Sequence, residues 1–230
     1  MGLCPVPSGL ARQICWGVDV PWHTVGMNWL AHLHLSEPSI EFRLGALLPD
    51  LLPMPRWRVV SAPVLRGAEC HRLIDAYTDA LPVVKRSISR IDPPLRRYGG
   101  ILVDVFYDHL LVNHWADYTP QPLADFEDEV YHAIDHGGDL IPRDALQRLT
   151  RMRQHRWLHG YGSIEGIEHT LRRIGLHLRR PQPLELGASC LQRNLDAFAD
   201  DFAEFFPQLT QRVAQEYTIT LPWQISAAAR

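Results

Sequence analysis

The stretch Ile101-Leu102-Val103-Asp104-Val105-Phe106-Tyr107-Asp108-His109-Leu110-Leu111 decides how the rest of the chain is read. It is apolar nearly all round, the mark of a helix buried on every side, yet Asp104 and Asp108 stand one helical turn apart on it. Carboxylates on a buried helix must be paired, neutralised or metal-bound. A second stretch, His71-Arg72-Leu73-Ile74-Asp75-Ala76-Tyr77-Thr78-Asp79, repeats the pattern. Asp75 and Asp79 share one face, His71 extends it backward by a turn, and Ile74, Tyr77 and Leu81 take the opposite side. Like charges at this spacing destabilise an isolated helix, and a divalent cation is the simplest compensation. Either stretch alone reads as an ordinary solvated face, with Asp79 able to cap the segment that starts near Leu81-Pro82. Two together, one of them buried, predict that His71, Asp75, Asp104 and Asp108 converge as metal ligands.

Outward from these stretches the pattern stays helical. Asn28 to Leu35 reads as a helix stopped by Ser36 and Pro38, with Asn28 and His32 on one face and His34 on nearly the opposite one. His32 by itself is an ordinary core histidine. Phe42 to Leu48 reads as a short helix ending at Pro49-Asp50, and Pro53, Pro55 and Pro63 mark a loop from Leu52 to Val64 with Arg56 and Arg58 on it. Helical patterns continue over Lys85–Ile91, from the Asp104 run through Trp115, over Leu123–His136 with solvent-facing acids, from Pro142 to Trp157, over Ile167–Leu178, and over Cys190–Glu216. In the last of these Leu191, Leu195, Phe198, Phe202, Phe205 and Phe206 face the core. No alternating strand pattern occurs, which makes the chain an all-α, single-domain helical bundle. Residues 1–26 lack period and have no secretory pattern; they read as a poorly ordered extension with Met27 as an alternative start. Residues 27–218 form the domain and 219–230 a tail.

Composition narrows the function classes. A net charge of −3 over 230 residues leaves no general nucleic-acid footprint, and no apolar run is long enough to span a bilayer. The 4 cysteines form no CxxC pair, so neither a zinc ribbon nor a disulfide framework is indicated, and a reducing cytoplasm is expected. Phosphate-binding glycine loops are absent. Carboxylates with some imidazole on several helices of a bundle suit Mn²⁺, Mg²⁺ or Fe, and a metal so held activates water against a phosphoryl group. Arg72, beside His71, is a candidate for clamping a phosphate oxygen, and equally for pairing with a carboxylate.

Four ordered segments resemble the acyl carrier protein phosphodiesterase family: Asn28-Trp29-Leu30-Ala31-His32-Leu33-His34-Leu35, Gly45-Ala46-Leu47-Leu48-Pro49-Asp50, and the His71–Asp79 and Leu102–His109 stretches. Trp157-Leu158, Tyr161 and Gly166-Ile167 resemble its C-terminal pattern, so the likeness runs from Met27 to about Tyr217. Ala46 stands where some members have asparagine, and Gly162-Ser163 where some have Arg-Asp. The resemblance implies a divergent HD-domain-like metal phosphohydrolase that uses Mn²⁺ and removes 4′-phosphopantetheine from holo-acyl carrier protein. It also implies metal or catalytic roles for His32, Asp50, His71, Asp75, Asp104, Asp108 and His109. Taken with the spacing argument, His71, Asp75, Asp104 and Asp108 are the expected ligands, and His32, Asp50, Arg72 and His109 the expected catalytic groups. Two alternatives stand beside this: a phosphohydrolase acting on a nucleotide or another small phosphodiester, and a non-catalytic helical binding protein. An acidic carrier protein needs a local basic patch, for which Arg56 with Arg58, Arg96 with Arg97, and Arg172, Arg173, Arg179 and Arg180 are candidates.

Overall fold

A computed structural model describes residues 29–57 and 59–217. The expected extension at 1–26, Met27 and Asn28, the whole expected tail at 219–230, and Arg58 lie outside the described residues. Helices succeed one another as α1 (Trp29–His34), α2 (Ile40–Leu51), α3 (Met54–Trp57), α4 (Ala62–Ala80), α5 (Pro82–Ser89), α6 (Gly99–Asn113) and α7 (Trp115–Tyr118). Then come α8 (Leu123–His136), α9 (Arg143–Gln154), α10 (Trp157–Gly160), α11 (Ile164–His177), α12 (Ala188–Arg193) and α13 (Leu195–Tyr217). No strand occurs among the described residues, and none of their helices is long and apolar enough to cross a membrane. The all-α bundle expected from the sequence is the observed fold.

The buried stretch forms α6, which lies at the centre: Leu102, Val103, Val105, Phe106 and Leu111 are fully buried. The aromatic stripe of α13 packs on it, with Phe106 5.2 Å from Phe198 and Tyr107 5.0 Å from Phe205, ring centre to ring centre. A buried charge fastens the same helix. Asp201 accepts from Ser87 at 2.7 Å and from Arg86 at 2.6 Å, and pairs with Arg90, while Ser87 also bonds the Tyr107 hydroxyl at 2.9 Å. This ties α5, α6 and α13 into one block.

A second block forms where α2 lies along α4. Their backbones meet at two glycines. A Cβ on Gly45 would sit 2.0 Å from the Val64 carbonyl oxygen, and one on Gly67 would sit 2.1 Å from that of Phe42. Helices this close hold side chains farther along, notably Asp50 on α2 and His71 on α4, at fixed separation.

Several local expectations are corrected. Helix α2 runs through Pro49 to Leu51, so Asp50 is helical and not a turn residue. The ring removes one backbone bond near the helix end, where the loss is small. Pro63 stands in the first turn of α4, a position that suits its fixed φ, so the helix begins at Ala62 and the expected proline loop is interrupted by α3 as well. His114 separates α6 from α7, Asn194 separates α12 from α13, and Arg156, at φ 46°, breaks the long helix expected up to Trp157. Glu127 is buried, not solvent-facing, and reaches Arg156 at 3.3 Å. Leu195 is exposed, because the break at Asn194 turns the start of α13 outward.

Candidate metal centre

Four short segments bring their polar residues to one place. Helix α1 carries His32 inward, α2 supplies Asp50, α4 supplies His71 and Asp75 one turn apart, and α6 brings Asp104 within electrostatic reach of Asp75 and Asp50. The imidazoles of His32 and His71 are stacked, with ring centres 3.8 Å apart and planes 12° from parallel. Both point Nε2 at one carboxylate: Asp75 lies 3.3 Å from His32 and 3.2 Å from His71. Asp50 Oδ1 lies 3.5 Å from His71 Nε2, while its Oδ2 accepts from the Trp29 indole N–H at 2.8 Å. One donor atom each from His32, His71 and Asp75 lie within 4.8 Å of one another, a spacing that suits a shared cation. The histidines are buried and Asp75 is half exposed, so solvent reaches the cluster on the Asp75 side.

Hydrogen bonding favours a metal over a closed polar network. His71 Nδ1 donates to the Ala46 carbonyl at 2.6 Å, which leaves Nε2 facing the two carboxylates. A ring nitrogen so oriented is the usual arrangement of a metal-ligating histidine. Without a cation, a proton on His71 answers the two carboxylates. Burial opposes it, but the charges of Asp75 and Asp50 outweigh burial and hold His71 well above its usual range. His32 goes the other way: burial and the neighbouring His71 charge lower it, so it stays neutral, as a ligand must be. Neither of its ring nitrogens makes a hydrogen bond of good geometry, an orphaned buried group that a cation would satisfy. Asp75 tends upward on burial, but His71 and then His32 hold it well below the usual carboxylate range. Asp104 is pushed well above that range by burial and by Asp75, Asp79, Asp108 and Asp50. A carboxyl that cannot ionise among its neighbours ionises readily beside a divalent cation. The residues fit a metal.

The expected residues divide between this cluster and its supports. His32, His71, Asp50 and Asp75 meet directly, and Asp104 lies within their field. Asp108 is fully buried and spends both oxygens on the start of α1, accepting from Leu30 N at 3.2 Å and Ala31 N at 3.1 Å. Burial nevertheless moves its carboxyl up to about 7, with these two donors opposing. His109 turns to the α10–α11 junction, where Nδ1 bonds the Tyr161 carbonyl at 2.8 Å. Arg72 is exposed on α4 and makes no ion pair among the described residues. Two contributors escaped the sequence reading: Trp29, which orients Asp50, and the Ala46 carbonyl, which orients His71. The tryptophan stands beside Asn28 in the first family-like segment, but only the fold shows which acid it meets.

The comparisons agree with the resemblance. The family described as "Acyl carrier protein phosphodiesterase" matches residues 27–209. A protein of that name from Enterobacter sp. (strain 638) is 33% identical over 190 residues, 80% of this chain and 95% of the relative. Its namesake from Pectobacterium atrosepticum is 29% identical over 80% of this chain and 96% of the relative. No solved structure matches the chain significantly. The match spans every segment that builds the cluster, and the chain therefore belongs to the acyl carrier protein phosphodiesterase family.

Proposed function

We propose that the protein hydrolyses the phosphodiester linking 4′-phosphopantetheine to serine in holo-acyl carrier protein, releasing the apo form. The observation that carries this is the His32–His71–Asp75 cluster, open to solvent on the Asp75 side, in a chain whose relatives are named acyl carrier protein phosphodiesterase. A divalent ion, Mn²⁺ in this reading, would be held by His32, His71 and Asp75 with Asp50 and Asp104 alongside. Mixed imidazole and carboxylate donors suit Mn²⁺ or Fe better than Mg²⁺. The bound ion supplies charge that acidifies water and offsets the negative phosphoryl oxygens.

The chain's own groups do the rest. Asp50, fixed by the Trp29 indole, keeps its second oxygen on His71 and so holds that ring in place. Asp108 caps α1 and so sets the depth of His32, which makes it a positioning residue in this reading. The exposed flank of Asp75 is the side from which the phosphodiester approaches. Water adds to phosphorus, the bond from phosphorus to the serine oxygen breaks, and that oxygen leaves with a proton. We place the enzyme among divergent HD-type phosphohydrolases and in the cytoplasm, a compartment that suits the free thiols of Cys70 and Cys190.

The test is mass spectrometry of holo-acyl carrier protein incubated with the protein and Mn²⁺. Conversion to the apo mass is expected, with loss of that conversion on chelation and in His71→Ala. An unchanged carrier protein, with metal demonstrably bound, would overturn the assignment.

A further inference from the structure

Beside the metal cluster stands a cation with no acidic partner. Arg173 of α11 lays its guanidinium 3.7 Å above the ring of Trp157. Trp157 in turn meets Trp29, ring centres 5.8 Å apart, and Trp29 is the residue that holds Asp50. Two indoles thus form a ledge from the cluster to the arginine. Three arginines of the same region are engaged: Arg172 faces Glu185, Arg156 meets buried Glu127, and Arg97 bonds Gln182. No carboxylate pairs with Arg173 among the described residues.

That isolation is costly. Arg173 is half buried, and burial weakens its charged form, with only Tyr161 opposing. Tyr161 is itself buried and kept neutral by burial and by Asp108, with Arg173 opposing and Asp50 adding to the effect. Its hydroxyl therefore lies in the field of both the arginine and the acids of the site. Stacking on an indole attracts the guanidinium to the ring face and fixes its plane. It leaves the edge N–H groups free, in the fork that matches two oxygens of one anion.

We propose that Arg173, braced on Trp157, takes the non-bridging oxygens of the substrate phosphodiester, the role the sequence suggested for Arg72. This rests on the function proposed above for the same site. Its consequence is binding of an oxyanion beside the metal, which can be read without any turnover.

The experiment titrates inorganic phosphate into the metal-loaded protein, followed by tryptophan fluorescence, with metal content and melting temperature measured in parallel. Arg173→Gln should bind phosphate ~10- to 100-fold more weakly, the loss of a charge-assisted bidentate contact, with metal content unchanged. Arg173→Lys should recover only part, because an ammonium is a point charge without the fork. Arg72→Gln should bind phosphate as the unaltered protein does. Unchanged phosphate affinity in Arg173→Gln, or loss of metal from it, would overturn the proposal. Failure of the carrier-protein assay would not, since phosphate binding is measured independently. Conversely, full carrier-protein cleavage by Arg173→Gln would remove Arg173 from the site and leave the function standing.

Discussion

Replacing Gly67 with alanine tests whether the close approach of α2 and α4 sets the metal site. The new Cβ would lie 2.1 Å from the Phe42 carbonyl oxygen and 2.9 Å from the Ala46 amide nitrogen. Both neighbours are backbone, with no flexible end to yield, so α4 must retreat by roughly 1 Å to restore ordinary contact. Such overpacking costs ~1–3 kcal/mol, against which the better helix propensity of alanine returns ~1 kcal/mol. The net loss of up to ~2 kcal/mol corresponds to a melting temperature lower by as much as ~8 °C for a chain of this size. The second effect is more telling. The retreat stretches the 2.6 Å bond from His71 to the Ala46 carbonyl and draws His71 away from Asp50. Loss of an orienting contact of this kind costs ~10- to 100-fold in metal affinity. Calorimetric titration with Mn²⁺, paired with thermal melts in chelator, measures both. Gly138→Ala is the control, because a Cβ there meets nothing within 4 Å. If Gly67→Ala melts lower yet binds Mn²⁺ unchanged, the glycine contact does not govern the site and the reasoning fails.

Asp108→Ala leaves the N–H groups of Leu30 and Ala31 without their acceptor; stability should fall by ~1–3 kcal/mol in urea unfolding, and Mn²⁺ binding should weaken as His32 loses its anchor. Asp201→Ala removes an acceptor of buried Ser87 and a partner of Arg90 and of Arg86, which keeps Glu204; the loss should be ~1–3 kcal/mol, with no change in metal affinity of the folded protein. His34, enclosed by Trp115, Phe126 and Phe206, is lowered by burial to about 4. Because the unfolded chain holds that proton more tightly, its share of stability is full above ~6.5 and drains as pH falls from there toward 4, by ~3 kcal/mol in all. His34→Phe, compared with the unaltered protein by urea midpoints in chelator at pH 7.5 and 4.5, should show a smaller drop; equal drops would contradict it.

The legible part of this molecule was the part with a period. An unbroken apolar run around Asp104 could only be a buried helix, and the His71–Asp79 spacing put its acids on one face whatever surrounded them. Asp50 was harder, since a proline before it resembles a turn signal and only packing against α4 keeps that last turn helical. Asp108 shares its spacing with Asp104 but not its surroundings: the N–H groups it meets lie 78 and 77 residues earlier in the chain. Glu127 sits on an amphipathic helix among exposed acids, and nothing local marks it as the one turned inward toward Arg156. Trp157 and Arg173 lie 16 positions apart and belong to different helices, so their stacking had no signature in either helix.

The cap on α1 also bears on the order in which the protein assembles. A helix of 6 residues is far too short to persist alone, and it holds its shape here because α6 supplies the acceptors for its first amides. His32 therefore has no defined position until α6 is in place, and α6 is enclosed in turn by α13 from the other end of the chain. Closing loops of that length is among the slower steps of folding. An intermediate with α2 and α4 already paired would hold His71, Asp75 and Asp50 but neither His32 nor Asp104. Tight metal uptake then becomes a marker of the last docking event, and a chain stalled before it would remain the weaker binder.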